Sequence, residues 1–118
     1  MNIFKYFLTL SLISFFLQNQ SIAQVSKADS LLNVIKKTED DSLKVTGYVD
    51  LGLEFLGSDI NAAIDYFDKA IELGEKIEFK SGLAKAFNAK GRAYAYQGSF
   101  QEAILSFQEA LKAFRETD

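Results

Sequence analysis

Apolar residues recur at helical spacing along most of this chain. Ile60, Ala63, Ile64, Phe67, Ala70 and Ile71 follow i, i+3, i+4, i+7, i+10, i+11, and forty residues later Phe100, Ala103, Ile104, Phe107, Ala110 and Leu111 repeat the series. That spacing puts the apolar side chains on one face of an amphipathic helix. A second apolar face precedes each series. "YVDLGLEF" carries Tyr48, Leu51, Gly52 and Phe55, and "FNAKGRAY" carries Phe87, Gly91 and Tyr94. Further upstream, Ala28, Leu31, Leu32 and Ile35 form one more stripe. The pattern predicts an all-α fold of five helices, at about 26–37, 41–56, 59–76, 81–97 and 100–116, with neighbours antiparallel.

The turns carry matching signals. "LGSD" and "QGSF" each place Gly before Ser. Glycine suits a left-handed helix C-cap and serine the following N-cap, so Gly57-Ser58 and Gly98-Ser99 are read as paired stop and start signals. Ser99 with Glu102 has capping-box spacing. Ser26 with Asp29 is read as the start of the first helix, and "TEDD" (38–41) as the break before the second. A glycine inside a helix costs about 1 kcal/mol against alanine, so the recurrence of Gly52 and Gly91 points to close helix contact. Ala63 and Ala103 are notches of the same kind, with Phe67 and Phe107 one turn on as fillers.

These residues resemble the tetratricopeptide repeat, whose units read aromatic-x2-Leu-Gly-x2-aromatic, then Ala-x3-Phe-x2-Ala. The first unit matches at Tyr48, Leu51, Gly52, Phe55, Ala63, Phe67 and Ala70. The second matches at Phe87, Gly91, Tyr94, Ala103, Phe107 and Ala110. Lys90 stands where leucine is usual, and neither unit ends in proline. The period is 40 rather than the common 34, with the extra residues between Ala70 and Phe87, so the helices flanking that turn should be long. The resemblance resembles most the 40-residue repeats of exported bacterial proteins. It implies stacked helical hairpins in a right-handed superhelix, with 24–40 as an N-terminal helix, 41–79 as one unit and 80–118 as the next.

The first 23 residues read differently. Lys5 precedes a mostly apolar run from Tyr6 to Leu17, and Ser21 and Ala23 give the small-x-small spacing of a cleavage site. This is the layout of a secretory signal peptide, cut after Ala23, and it places the rest of the chain in a periplasmic or secreted setting. A bilayer span needs about 20 apolar residues, and this run is shorter, so no stable membrane span is expected after cleavage.

Composition narrows the chemistry. The chain of 118 residues has no cysteine, histidine or proline and a net charge of −3. Without cysteine or histidine there is no thiolate nucleophile, no disulfide and none of the commonest metal ligands and general bases. The scattered basic residues do not form the cluster that nucleic acid requires. Carboxylate pairs such as Asp40-Asp41, Glu72-Glu75 and Glu102-Glu109 fit exposed helix faces and i,i+4 pairing. "GLEFLG" follows no strand and is not a phosphate loop. The expectation is no enzyme, no cofactor, no metal and no nucleic acid.

Function is therefore sought on a surface. Lys85, Asn88, Arg92 and Tyr96 remain on the predicted fourth helix once its core residues are removed, and the resemblance implies that this face lines a concave groove. Asparagine can both donate to and accept from a peptide group, and arginine grips carboxylate in a fork. The preceding unit offers Thr46, Val49 and Leu53 on the same face. The expected ligand is a protein or peptide segment with an acidic and an apolar part. A second expectation is an extracytoplasmic sensory segment of a bacterial signalling protein, such as a histidine kinase or nucleotide cyclase. Phe100, Ile104, Phe107, Leu111 and Phe114 have nothing after them to cover them. That stripe implies either self-association through the last helix or membership of a longer array.

Overall fold

The structure is a computed structural model that describes residues 2–117, with only the backbone described at 20–26. It contains α1 (Asn2–Lys37), α2 (Asp41–Phe55), α3 (Ile60–Lys76), α4 (Lys80–Gln97) and α5 (Phe100–Arg115), and no strand among the described residues. Four of the five helices fall within a residue or so of the sequence expectation. The first does not. α1 runs unbroken for 36 residues, so Ser26 is not a helix start. Its front half, from Ile3 to Leu17, leaves its apolar side chains exposed, and only its rear half packs, with Ala28 and Ile35 buried against Leu51 of α2. No helix among the described residues is long and apolar enough to cross a membrane.

Of the two turns read as Gly-Ser signals, only Gly98 plays the expected part. α2 is capped by Asp40, whose carboxylate accepts from the Ser42 and Leu43 amides at 2.9 and 3.3 Å. The Ser42 hydroxyl and the Leu43 amide hold that carboxyl below its usual range. α3 is capped by Asp59, which accepts from the Ala62 amide at 3.0 Å, and not by Ser58. Carboxylate outcompetes hydroxyl here because it is the stronger acceptor and complements the positive helix end. Gly57 does not adopt a left-handed φ, since the only positive-φ glycine among the described residues is Gly98, at φ 79°. There the Ser99 amide donates to the Tyr94 carbonyl at 2.9 Å, closing the Schellman turn. Ser99 makes no side-chain cap bond, so the expected capping box with Glu102 does not form. Between α3 and α4 the left-handed position is taken by Glu78, at φ 54°, with the Phe79 amide on the Gly74 carbonyl at 2.9 Å. A left-handed conformation at a non-glycine residue costs about 1–2 kcal/mol. The residues added to the repeat lie in the longer α3 and α4, with three residues left for the turn.

Packing follows the hairpins. Each helix lies against the next, α4 against α5 and α2 against α3, and α4 rests on both α2 and α3. α2 approaches α4, whereas α3 and α5 have no close approach. The stack is therefore tighter along its first helices, which makes their side the inner, concave one. Val45, Val49, Phe67, Ala70, Ile71, Leu83 and Ala86 lie in one core, which the small residues Ala63, Ala89 and Ala93 allow to close.

The glycines mark where this closure is tightest. A Cβ on Gly52 would lie 2.4 Å from the Phe67 ring, and one on Gly91 would lie 2.7 Å from the Phe107 ring. Both pairs join the two helices of one hairpin, at equivalent places. Phe67 is fully buried and cannot move aside, while Phe107 is 38% exposed and can swing outward. Gly52→Ala should therefore destabilise by about 1–3 kcal/mol, the usual cost of overpacking, and Gly91→Ala by clearly less, since its gain in helix propensity of about 1 kcal/mol offsets a softer clash. Urea unfolding followed by circular dichroism measures both; equal losses, or a stabilised Gly52→Ala, would contradict this packing.

Candidate functional site

α4 presents two faces. Gly82, Leu83, Ala84, Ala86, Ala89, Gly91 and Ala93 are buried, while Lys85, Asn88, Arg92 and Tyr96 stay exposed as one stripe between the buried flanks. The burial follows from residue size: a helix pressed between two others can carry only glycine, alanine and an occasional leucine where it is packed. The exposed stripe is thus brought together as expected. The neighbouring unit differs from the expectation. Counting back 39 residues from Lys85, Asn88 and Arg92 reaches Thr46, Val49 and Leu53. Thr46 and Leu53 are exposed, but Val49 is only 7% exposed and belongs to the core. It is withdrawn as a ligand contact, because α4 covers the side of α2 that carries it.

Lys90 departs from the repeat pattern for a visible reason. Its ammonium reaches the Asp68 carboxylate of α3 at 2.6 Å and lies 5.6 Å from the Tyr94 ring centre. Burial acts to lower its pKa, and the hydrogen bond and charge of Asp68 outweigh that, so the ammonium is held above the usual lysine range. The Gln97 side-chain amide donates to Asn61 at 3.1 Å, one end of the same seam. Lys27–Glu54 ties α1 to α2, and Lys80–Glu116, at 2.9 Å, ties the start of α4 to the end of α5. The contacts of α1 with α2, of α3 with α4 and of α4 with α5 thus carry a polar clamp as well as an apolar one.

Two hollows open on the surface of the repeats. One, of about 460 Å³, lies between α4 and α5 and is lined by Lys85, Asn88, Phe107, Leu111 and Phe114 among others. Sequence reasoning placed Lys85 and Asn88 on a site but did not connect them to the apolar stripe of α5; the structure joins the two. The other, of about 600 Å³, lies between α2 and α3 and mixes Lys44, Lys69 and Lys76 with Asp41 and Glu72. Lys44 pairs with Asp41 at 3.1 Å there, and Lys69 lies 5.1 Å from the Tyr66 ring centre. Among the described residues no carboxylates cluster in a way that could hold a metal ion. No buried side-chain polar atom among them lacks a hydrogen-bond partner.

Stacked antiparallel hairpins with glycine–phenylalanine contacts at one period define a helical-repeat protein. The tetratricopeptide repeat family matches residues 50–116, more than half of the chain, and the chain belongs to that family. It is also 32% identical, over 88 residues, to the outer dynein arm-docking complex subunit 4 of Danio rerio. That match covers 68% of this chain and 18% of the relative, so the chain spans less than a fifth of that protein's length. No solved structure gives a significant match. Tetratricopeptide repeats mediate protein–protein interaction, which supports a scaffold role.

The clamp between α3 and α4 can be tested directly. Lys90→Leu, which restores the usual repeat residue, should leave stability within about 1 kcal/mol, because the carboxylate it leaves, Asp68, is half exposed and stays solvated. Asp68→Ala should cost more than Lys90→Leu, because the half-buried ammonium then loses its partner. Since the Lys90 pKa is raised on folding, the clamp's contribution is complete below the ordinary lysine pKa and is lost as pH climbs through the raised value. Thermal melts of both variants and a melt series into alkaline pH check this. A larger loss in Lys90→Leu than in Asp68→Ala would refute the account.

Proposed function

We propose that this chain is a non-catalytic scaffold that holds an extended protein segment on its inner face, in an exported compartment. The observation that carries the reading is the asymmetry of the stack. α2 and α4 approach each other while α3 and α5 do not, so the exposed side chains of the first helices converge on one concave surface. There Lys85 and Arg92 offer charge to carboxylates, Asn88 offers both halves of an amide pair, and Tyr96 and Leu53 offer apolar contact. The similarity to a protein named for a docking complex supports protein assembly as the kind of work done.

Export is supported by the first segment. Its apolar side chains from Ile3 to Leu17 cover no part of the repeats, as suits a removable signal with cleavage after Ala23. A second reading, an extracytoplasmic sensory segment of a signalling protein, is favoured by the exposed stripe on α5, which is able to pass contact to a further element or to a second copy of the chain.

Two measurements test the proposal. Expressed in a Gram-negative host, the chain should be recovered from the periplasm with Gln24 first by mass spectrometry; a chain kept in the cytoplasm with its first 23 residues intact would refute export. Affinity capture from the envelope should recover a protein with the native chain and lose it at least tenfold with Arg92→Glu; undiminished recovery would remove the inner-face site.

A further inference from the structure

The two repeats can be compared position by position, because the same hairpin occurs twice. In the first, the groove between α2 and α3 is filled by α4, which buries Val45, Val49, Phe67, Ala70, Ile71 and Gly74. The equivalent residues of the second hairpin are Ala84, Asn88, Phe107, Ala110, Leu111 and Phe114. They line the hollow between α4 and α5, where Leu111 is 50% and Phe114 68% exposed. The hollow is therefore the same groove, left open by the described residues.

Its rim differs from the filled one in a way that specifies an occupant. The row of α3 that faces α4 is Asn61, Asp68 and Glu75, spaced by seven. Asn61 meets Gln97, Asp68 meets Lys90, and the charge of Glu75 acts on Lys80. Forty residues on, the row reads Gln101, Gln108 and Arg115, with Lys112 where α3 has Glu72. An acidic rim has become a neutral-to-basic one, and Lys85 adds a further cation at the same end of the groove. The floor also changes. α4 sets Leu83 on Gly74, with a Cδ atom 3.0 Å from where a Cβ would be, but the equivalent of Gly74 is Phe114. A leucine there would collide with the ring.

We infer that the groove between α4 and α5 takes an α-helix of a partner protein, laid antiparallel to α5. That helix has an acidic first half, a polar uncharged residue where α4 has Lys90, and small residues along its inner face, including the place of Leu83. Carboxylates in its first turns meet Arg115, Lys112 and Lys85 and also suit its own positive end. A helix copied from α4 would instead set Lys80 against Arg115. The inference shares with the scaffold reading that the ligand is a protein and that Lys85 and Asn88 border its site, but it does not use Arg92.

The probe is a labelled, end-blocked peptide of residues 80–97 carrying Lys80→Glu, Leu83→Ala and Lys90→Gln, beside the unaltered 80–97 peptide. Fluorescence anisotropy with the full chain should show the altered peptide binding at least about tenfold more tightly. A chain carrying both Lys112→Glu and Arg115→Glu should reverse that preference, and Phe114→Ala, which clears the ring from the place of Leu83, should narrow it, with unchanged circular dichroism in each variant. Arg92→Glu should bind the altered peptide as the native chain does, which separates this site from the inner face. Three results would overturn the inference. One is equal binding of the two peptides. Another is no binding to a chain whose helicity is intact. The third is a dimer by sedimentation that Phe114→Ala dissociates and that excludes the peptide, which would assign the groove to a second copy.

Discussion

A phenylalanine ring resting on a bare stretch of helix backbone is the contact on which the architecture depends. Gly52 and Gly91 remove the side chain that would hold two helices apart, and Phe67 and Phe107 occupy the space released. Each glycine weakens its own helix, so the contact is favourable only when the partner helix is present. Local helix formation and hairpin closure are thereby coupled. Closure in turn aligns Ala63, Ala70 and their counterparts Ala103 and Ala110, whose small size lets the next helix sink into the groove. Of the largest fully buried side chains, Val45 and Phe67 lie in this core, and Leu51 lies against α1.

The same contact has different freedom in the two hairpins. Phe67 is sealed beneath α4 and α2, whereas Phe107 has α4 on one side and open space on the other. The first hairpin is a finished object and the second presents a surface. That difference underlies both proposed faces: the stripe of α4 is exposed while the small residues beside it hold the helix in place, and the α4/α5 groove is open because no element among the described residues fills it.

Much of the fold was legible in the sequence because the repeat supplies its own control. Ala63 with Ala103, and Phe67 with Phe107, match at one shift, and two independent stretches agreeing on a face leave little room for another fold. What was not legible depended on competition between neighbours. Ser58 and Asp59 are adjacent candidate caps, and only the geometry of the turn selects the carboxylate. Ser99 has a suitable partner three residues on, yet the Schellman turn at Gly98 sets the backbone and no side-chain cap forms. Ser26 resembles a helix start, but nothing in that segment stops a helix, and α1 continues through it. For the candidate site, the exposed α4 stripe was readable from spacing alone. The burial of Val49 was not, because it depends on which flank of α2 the following helix covers. Lys90 carried a signal as a departure from the repeat pattern, though its partner, 22 residues earlier in α3, could be found only in three dimensions.

Stability and order along the stack are carried by different residues. The glycine–phenylalanine contact is the same in each hairpin and says nothing about which unit should follow which. The seam beside it, acidic along α3 and basic at the end of α5, does. A tandem duplication of the second hairpin would preserve every packing contact of the first kind and still bring lysine against arginine at the junction. Genes for such arrays can therefore gain units by copying while each hairpin keeps its own closure, and afterwards need a few changes of charge and size at the junction to fix the sequence in which the units assemble.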